Sequence, residues 1–285
     1  MTLLLTWLDM QPNTIPTIWT AADTQISSGH DTLTLEGSKI LELNIVCKDT
    51  STPIQPAYYN GSIGFSYAGS TMTAFNTYAT LSTIMTNLGG SPIRKEVPDY
   101  MSLLMTAKNV LKLYTPDSSR LAEISLWGFC PANNTPFIGL ISWNNGLNEY
   151  SINAKAGLAS SLDWIILGDV SAKIKLDSMI RDRINKYTDK MSLEYWRSPY
   201  YPLREIIQTG EFRGVGGNIQ LAQVNQFKFS HLFVLVPPND GSTYWSAKYR
   251  NIDIYREIGG FVGRCFITIS GMDMDFPHDS PANVI

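Results

Sequence analysis

A chain of 285 residues with a net charge of −3 and 16% charged side chains has material for one large core or two small ones. Its acidic balance lacks the basic footprint of a nucleic-acid binder, and no run of eighteen apolar residues offers a membrane-spanning helix. The low charge, against about 25% in ordinary globular chains, fits either a large β-rich core or a surface buried against other subunits.

The first elements read as strands. Leu3, Leu5 and Trp7 alternate with Thr2, Leu4, Thr6 and Leu8, a β-favouring apolar run. Asp9, Pro12 and Asn13 mark a turn, and residues 15–22 return as a second strand. MTLLLTWL has neither the basic flank nor the length of a secretory signal, which predicts a cytoplasmic protein. Strand patterns recur over 39–46 and 62–67. Phe75, Tyr78, Leu81, Met85 and Leu88 then fall at helical steps, ending at Gly89-Gly90. Leu103, Leu104, Ala107, Leu111 and Tyr114 predict a second amphipathic helix, stopped near Pro116. Strands are predicted over 122–129 and 136–143, with a hairpin-like turn at Asn144-Asn145-Gly146. Another follows at 164–167. A third helix starts at Ser171 and carries Leu176, Met179, Ile180 and Ile184. A fourth opens at Pro199 and closes at Gly210. Residues 218–224 and 231–236 read as the last core strands. Beyond them, NDGSTYWSAK reads as a linker, 261–270 as a strand and DFPHDSPANVI as loop.

Strands and helices in segregated blocks predict an α+β chain rather than a βαβ parallel sheet. Cys47, Cys130 and Cys265 form no CxxC pair and read as buried free thiols of a reducing compartment. His30, His231 and His278 lie far apart, so neither a metal site nor a cofactor is predicted.

Four pieces carry a more specific signal. Thr2 follows the initiator methionine. TIWTAADTQISSG closes an apolar strand on Asp23. GSKILELN opens the next strand at Lys39, sixteen positions later. GFSYAGSTMTAF sets Gly69 at a strand-to-helix turn. In this order they resemble the start of the proteasome β subunits and HslV-like peptidases, the N-terminal-nucleophile (Ntn) threonine hydrolases. The resemblance runs over residues 2–236. It implies a four-layered αββα sandwich over 1–238, with 239–285 as a C-terminal extension that packs on the domain or serves as an assembly arm.

It also implies a site. Removal of Met1 exposes Thr2, whose α-amine can act as base for its own hydroxyl. Lys39, held by Asp23, keeps that amine neutral by like-charge repulsion. Gly69 donates its N–H to the developing oxyanion. Ile26, Gly37, Leu41, Tyr67 and Thr71 shape an uncharged pocket that favours apolar or aromatic residues. The chain departs from the family in its supporting groups. Asp169 in LGDVS replaces a serine, with Ser171 a possible substitute. In TGEFRGVGG, Phe212 and Val215 stand at the acid and serine positions, and Glu211 lies one place early. By resemblance the partners are peptides or unfolded proteins, further copies in a closed homo-oligomeric ring, and an ATP-dependent unfoldase. The altered positions leave two other readings open: a non-catalytic proteasome-like assembly protein, or an amidase acting on small molecules.

Overall fold

The computed structural model describes residues 2–28, 31–94, 96–115, 120–157, 162–187, 189–190, 192–236, 246–250, 252–268 and 271–272. Met1, His30, Pro116, His278 and the DFPHDSPANVI tail lie outside the described residues.

The chain opens with β1 (Leu3–Asp9), β2 (Thr17–Asp23), the short β3 (Ile26–Ser28) and β4 (Asp31–Thr34), then β5 (Ile40–Asp49) and β6 (Ala57–Gly69). Next come α1 (Thr71–Met85), β7 (Leu88–Gly90) and α2 (Tyr100–Leu113). The middle continues with β8 (Ala122–Phe129), β9 (Pro136–Asn144), β10 (Glu149–Ala156) and β11 (Asp163–Gly168). Then follow α3 (Val170–Ile184), α4 (Leu193–Arg197), α5 (Tyr200–Thr209), β12 (Ile219–Asn225) and β13 (Phe229–Val236). The C-terminal part holds β14 (Ser246–Tyr249), β15 (Ile252–Asp253), a π-helical turn at Ile254–Ile258, β16 (Phe261–Val262), β17 (Cys265–Phe266) and β18 (Gly271–Met272).

Two sheets dominate. One runs β11-β1-β2-β12-β13-β14-β15 with β18 beside β13, and the other runs β10-β9-β8-β6-β5-β7. The period of two in β1 explains how they meet. Leu3, Leu5 and Trp7 join a cluster with Leu176, Ile180, Leu203 and Ile206 of α3 and α5. Leu4 and Leu8 join Ile40, Ala68, Trp127 and Ile138 of the other sheet. Thr6, which shares their side of β1, pairs its hydroxyl with that of Thr20 at 2.8 Å, so a buried polar position is satisfied. Helices α1, α2 and α3 start on side-chain caps: Ser70 accepts from the Thr73 amide, Asp99 from Ser102 and Asp169 from Ala172.

The expected four-layered αββα sandwich is corrected. Strands outweigh helices, and two separate ribbons, β3–β4 and β16–β17, stand apart from the main sheets. Helices α1 and α2 pack on the β5–β6 and β8–β10 sheet, and α3 and α5 pack on the larger sheet at β1, β2 and β11, whereas β14 and β15 meet the short π-helical turn at Ile254–Ile258. The physical reason is local: several short runs pair as strands where helix or loop is predicted. The first helix ends at Met85 rather than Leu88, and Leu88–Gly90 pairs in parallel with β5. Glu149–Ala156 pairs antiparallel with β9 across its full length. Within NDGSTYWSAK, residues 239–245 lie outside the described residues, but Ser246–Tyr249 continues the larger sheet from β13. The strand predicted over 261–270 is instead the β16–β17 hairpin. Cys47 and Cys130 are buried, whereas Cys265 is exposed on β17, against the expectation of three buried thiols. Among the described residues no helix is long and apolar enough to cross a membrane.

Candidate functional site

The register of β1 on β2 pairs Leu4 with Ala22, which brings the end of β2 beside the start of β1. Asp23 closes β2 there, fully buried. Its Oδ1 accepts from the Leu3 amide at 2.9 Å and from Lys39 Nζ at 2.7 Å. Its Oδ2 accepts from the Gly216 amide at 3.2 Å. One carboxylate thus ties together β1, the entry to β5 and the loop before β12. Burial pushes the Lys39 ammonium down and is opposed by Asp23. Burial likewise pushes the Asp23 carboxyl up, opposed first by Lys39 and then by the Leu3 and Gly216 amides. Three donors converging on an acceptor define the ionised form of Asp23.

Thr2, the residue before Leu3, is buried and lines a cavity of about 440 Å³. Gly69, Glu123, Trp143, Gly168 and Asp169 share its walls. Two glycines let the backbones close around it. Gly168 has φ +115°, and a Cβ there would stand 1.7 Å from the Thr2 carbonyl oxygen. That oxygen accepts from the Asp169 amide at 3.0 Å. Gly69 has φ +94°, and a Cβ there would meet the Leu121 carbonyl at 2.6 Å. Both are conformations that only glycine adopts without strain.

The fold therefore brings Asp23 to Lys39, and Thr2 to Gly69 and Asp169. The remaining predicted positions lie elsewhere. Ser171 is exposed in the first turn of α3, where Asp169 serves as the helix cap. Glu211 is paired with Lys175 of α3 at the surface and does not line the Thr2 cavity. Tyr67 donates to the Ser38 carbonyl at 2.9 Å, and its amide donates to the Lys39 carbonyl at 3.2 Å. Burial raises the Tyr67 phenol to about 12, opposed by a hydrogen bond with Thr71. Tyr67 and Thr71 thus stand together beside Lys39. Leu41 packs against the cluster under α1 and α2, and Ile26 fills the space over Gly37. None of Ile26, Leu41, Tyr67 and Thr71 lines the Thr2 cavity.

Two contributors were not anticipated. Glu123 accepts from the Gly168 amide at 2.9 Å and from Lys173 Nζ at 3.1 Å, tying the start of α3 to β8 at the cavity. Gln220 is buried, and its Oε1 accepts from the amides of Lys39 and Ile40 at 2.8 and 3.0 Å. The available signal was its place in β12, two residues before the inward-facing Ala222 and four before Val224.

No protein-family model matches the chain, and no curated protein sequence matches it. Among solved structures it is similar to the Anbu (Gly-1) mutant from Hyphomicrobium sp. strain MC1, with a TM-score of 0.53 and 11% identity. The likeness covers 81% of this chain and 85% of that one. At this identity it establishes a shared fold alone. The assignment to proteasome β subunits and HslV-like Ntn threonine hydrolases, read from the sequence, is corrected accordingly: what the chain shares with a known protein is the fold of Anbu, at an identity too low to carry family membership.

Proposed function

We propose that the chain hydrolyses amide bonds, with the Thr2 hydroxyl as nucleophile and the Thr2 α-amine as its base. The reading requires that the peptide bond before Thr2 be cut, whatever precedes it. One observation carries it: the buried Asp23 oxygen that receives Lys39 Nζ also receives the amide of Leu3, the residue joined to Thr2. The ammonium thus stands no farther from that amide than two hydrogen bonds end to end, and Thr2 itself lines a cavity.

In this reaction Thr2 Oγ attacks the substrate carbonyl as the α-amine takes the hydroxyl proton. The Gly69 N–H stabilises the oxyanion, a contact worth roughly 3 kcal/mol in comparable sites. The amine then protonates the leaving nitrogen, and an ester to Thr2 remains. Water, activated by the same amine, cleaves the ester. Lys39 disfavours protonation of the neighbouring amine by like-charge repulsion. The cavity holds a few residues of extended peptide rather than a folded domain, which favours peptides or unfolded segments as substrates. Exposed Met72, Phe75, Met101 and Met105 on α1 and α2 favour assembly with further copies.

The test is hydrolysis of fluorogenic peptide amides by the processed protein beside its Thr2→Ala and Thr2→Ser variants. Activity lost in Thr2→Ala and largely kept in Thr2→Ser supports the reading; activity equal in all three sinks it. A non-catalytic assembly protein is the second reading. It is favoured by the engagement of Glu211 with Lys175, which holds the expected supporting acid at the surface.

A further inference from the structure

The Lys39 backbone is held by a side chain that neither strand pairing nor the ion pair requires. Gln220 of β12 reaches from the larger sheet to the first rung of β5 in the other sheet. Its Oε1 takes the amides of Lys39 and Ile40, and its Nε2 donates to the Ile40 carbonyl at 2.8 Å. The carboxamide thus pairs both the N–H and the C=O of Ile40, as a neighbouring strand would. The orientation of the amide is fixed from behind. Nε2 also meets the Tyr249 hydroxyl at 3.3 Å and the Ser38 hydroxyl at 3.5 Å. The Tyr249 hydroxyl in turn lies 3.3 Å from His231 Nδ1. Tyr249 belongs to β14, so the C-terminal part of the chain ends this line of contacts.

We infer that Gln220 is a positioning residue for Lys39, and that Tyr249 of β14 locks Gln220 in the orientation that does so. The physical logic is that a long flexible lysine side chain is placed only as well as its backbone is. Asp23 fixes the far end at Nζ, and Gln220 fixes the near end at the peptide. Without the clamp, the Lys39 and Ile40 amides lose this acceptor and the Ile40 carbonyl keeps the Ser38 hydroxyl at 3.4 Å, a cost the chain relieves by shifting β5 at its entry. That shift is transmitted to Nζ. The titratable and charged groups around the unit are Asp23 of β2 and Tyr67 of β6 on the Lys39 side, and Tyr249, His231 and Arg250 on the Gln220 side. The role in catalysis rests on the function proposed above; the positioning itself does not.

The experiment is the titration of Lys39 Nζ by NMR in protein carrying labelled lysine, with the signal assigned by its loss in Lys39→Met. Gln220→Leu removes the clamp, and Tyr249→Phe removes one hydroxyl while keeping the ring. Both are expected to move the Lys39 midpoint upward, toward the ordinary lysine value, as Nζ gains freedom and water. The expected change is about tenfold in proton affinity for Gln220→Leu and a smaller one in the same direction for Tyr249→Phe. If Gln220→Leu fails to fold, Tyr249→Phe alone gives the reading. A midpoint unchanged in the folded variants, with only thermal stability reduced, overturns the inference and leaves Gln220 a strut between sheets. Hydrolysis of peptide amides is followed in the same samples. A shifted midpoint in protein that hydrolyses nothing, wild type included, upholds the positioning and removes the proposed function beneath it.

Discussion

Lys39 Nζ lies 2.7 Å from Asp23 Oδ1, and the two side chains are 1% and 0% exposed. A pair this deep gains little over apolar replacements, but removal of one partner strands the other charge. Lys39→Met is therefore expected to destabilise the fold by about 3–5 kcal/mol, measured by urea unfolding. Replacing both, as Lys39→Met with Asp23→Leu, should recover much of that loss while leaving hydrolysis abolished. A cost under about 1 kcal/mol for the single variant would show that the pair is not charged.

Gly168→Ala tests how closely the chain wraps Thr2. The added methyl falls on the Thr2 carbonyl, at a φ of +115° where an L side chain is itself strained. The expected cost is about 2 kcal/mol or more, with hydrolysis lost because Thr2 is displaced. Thermal unfolding and peptide-amide turnover read the two effects separately. Full activity in a protein of unchanged stability would contradict the geometry.

Glu211→Gln provides the opposite expectation. Glu211 and Lys175 are 45% and 40% exposed, and exposed pairs contribute roughly 0–1 kcal/mol. The substitution should leave both turnover and stability nearly unchanged. A hundredfold fall in turnover would restore Glu211 to the site.

His231 gives the fold a pH dependence whose sign follows from its surroundings. Burial, and then the charge of Arg250, lowers its pKa from 6.5 to about 4. Between those values the unfolded chain binds a proton that the folded chain does not, so stability rises with pH across this window and is lost as pH falls from about 6.5 to 4. The contribution is on the order of 2 kcal/mol, allowing for the ring's partial exposure. His231→Gln should flatten the slope of unfolding free energy over that range relative to wild type; parallel slopes would exclude the effect.

The residues of the candidate site that the structure brings together, Asp23 with Lys39 and Thr2 with Gly69 and Asp169, were legible through the resemblance and its spacing. Alternation in β1 marks Thr2 and Leu4 as a shared face, and the sixteen-residue spacing from Asp23 to Lys39 survives as a contact. Gln220 was not legible as a partner of Lys39, since 181 positions separate them and nothing local marks the pairing. Glu211 misled because position near a glycine pair says nothing of direction, and its side chain reaches α3. Strands of two residues, as at β15 to β18, are too short for any period. The helical continuation to Leu88 was broken by pairing with β5, a tertiary contact that overrides local periodicity. The four-layer expectation failed for the same reason: block order does not tell how far helices cover a sheet.

The measurement that bears most directly on the central claim is the intact mass of protein purified from its native host, with and without an epoxyketone that captures a hydroxyl and an amine on one threonine. The account predicts a chain beginning at Thr2 that gains one adduct, with none in Thr2→Ala or Lys39→Met. A chain that retains residues before Thr2 and gains no adduct would contradict it.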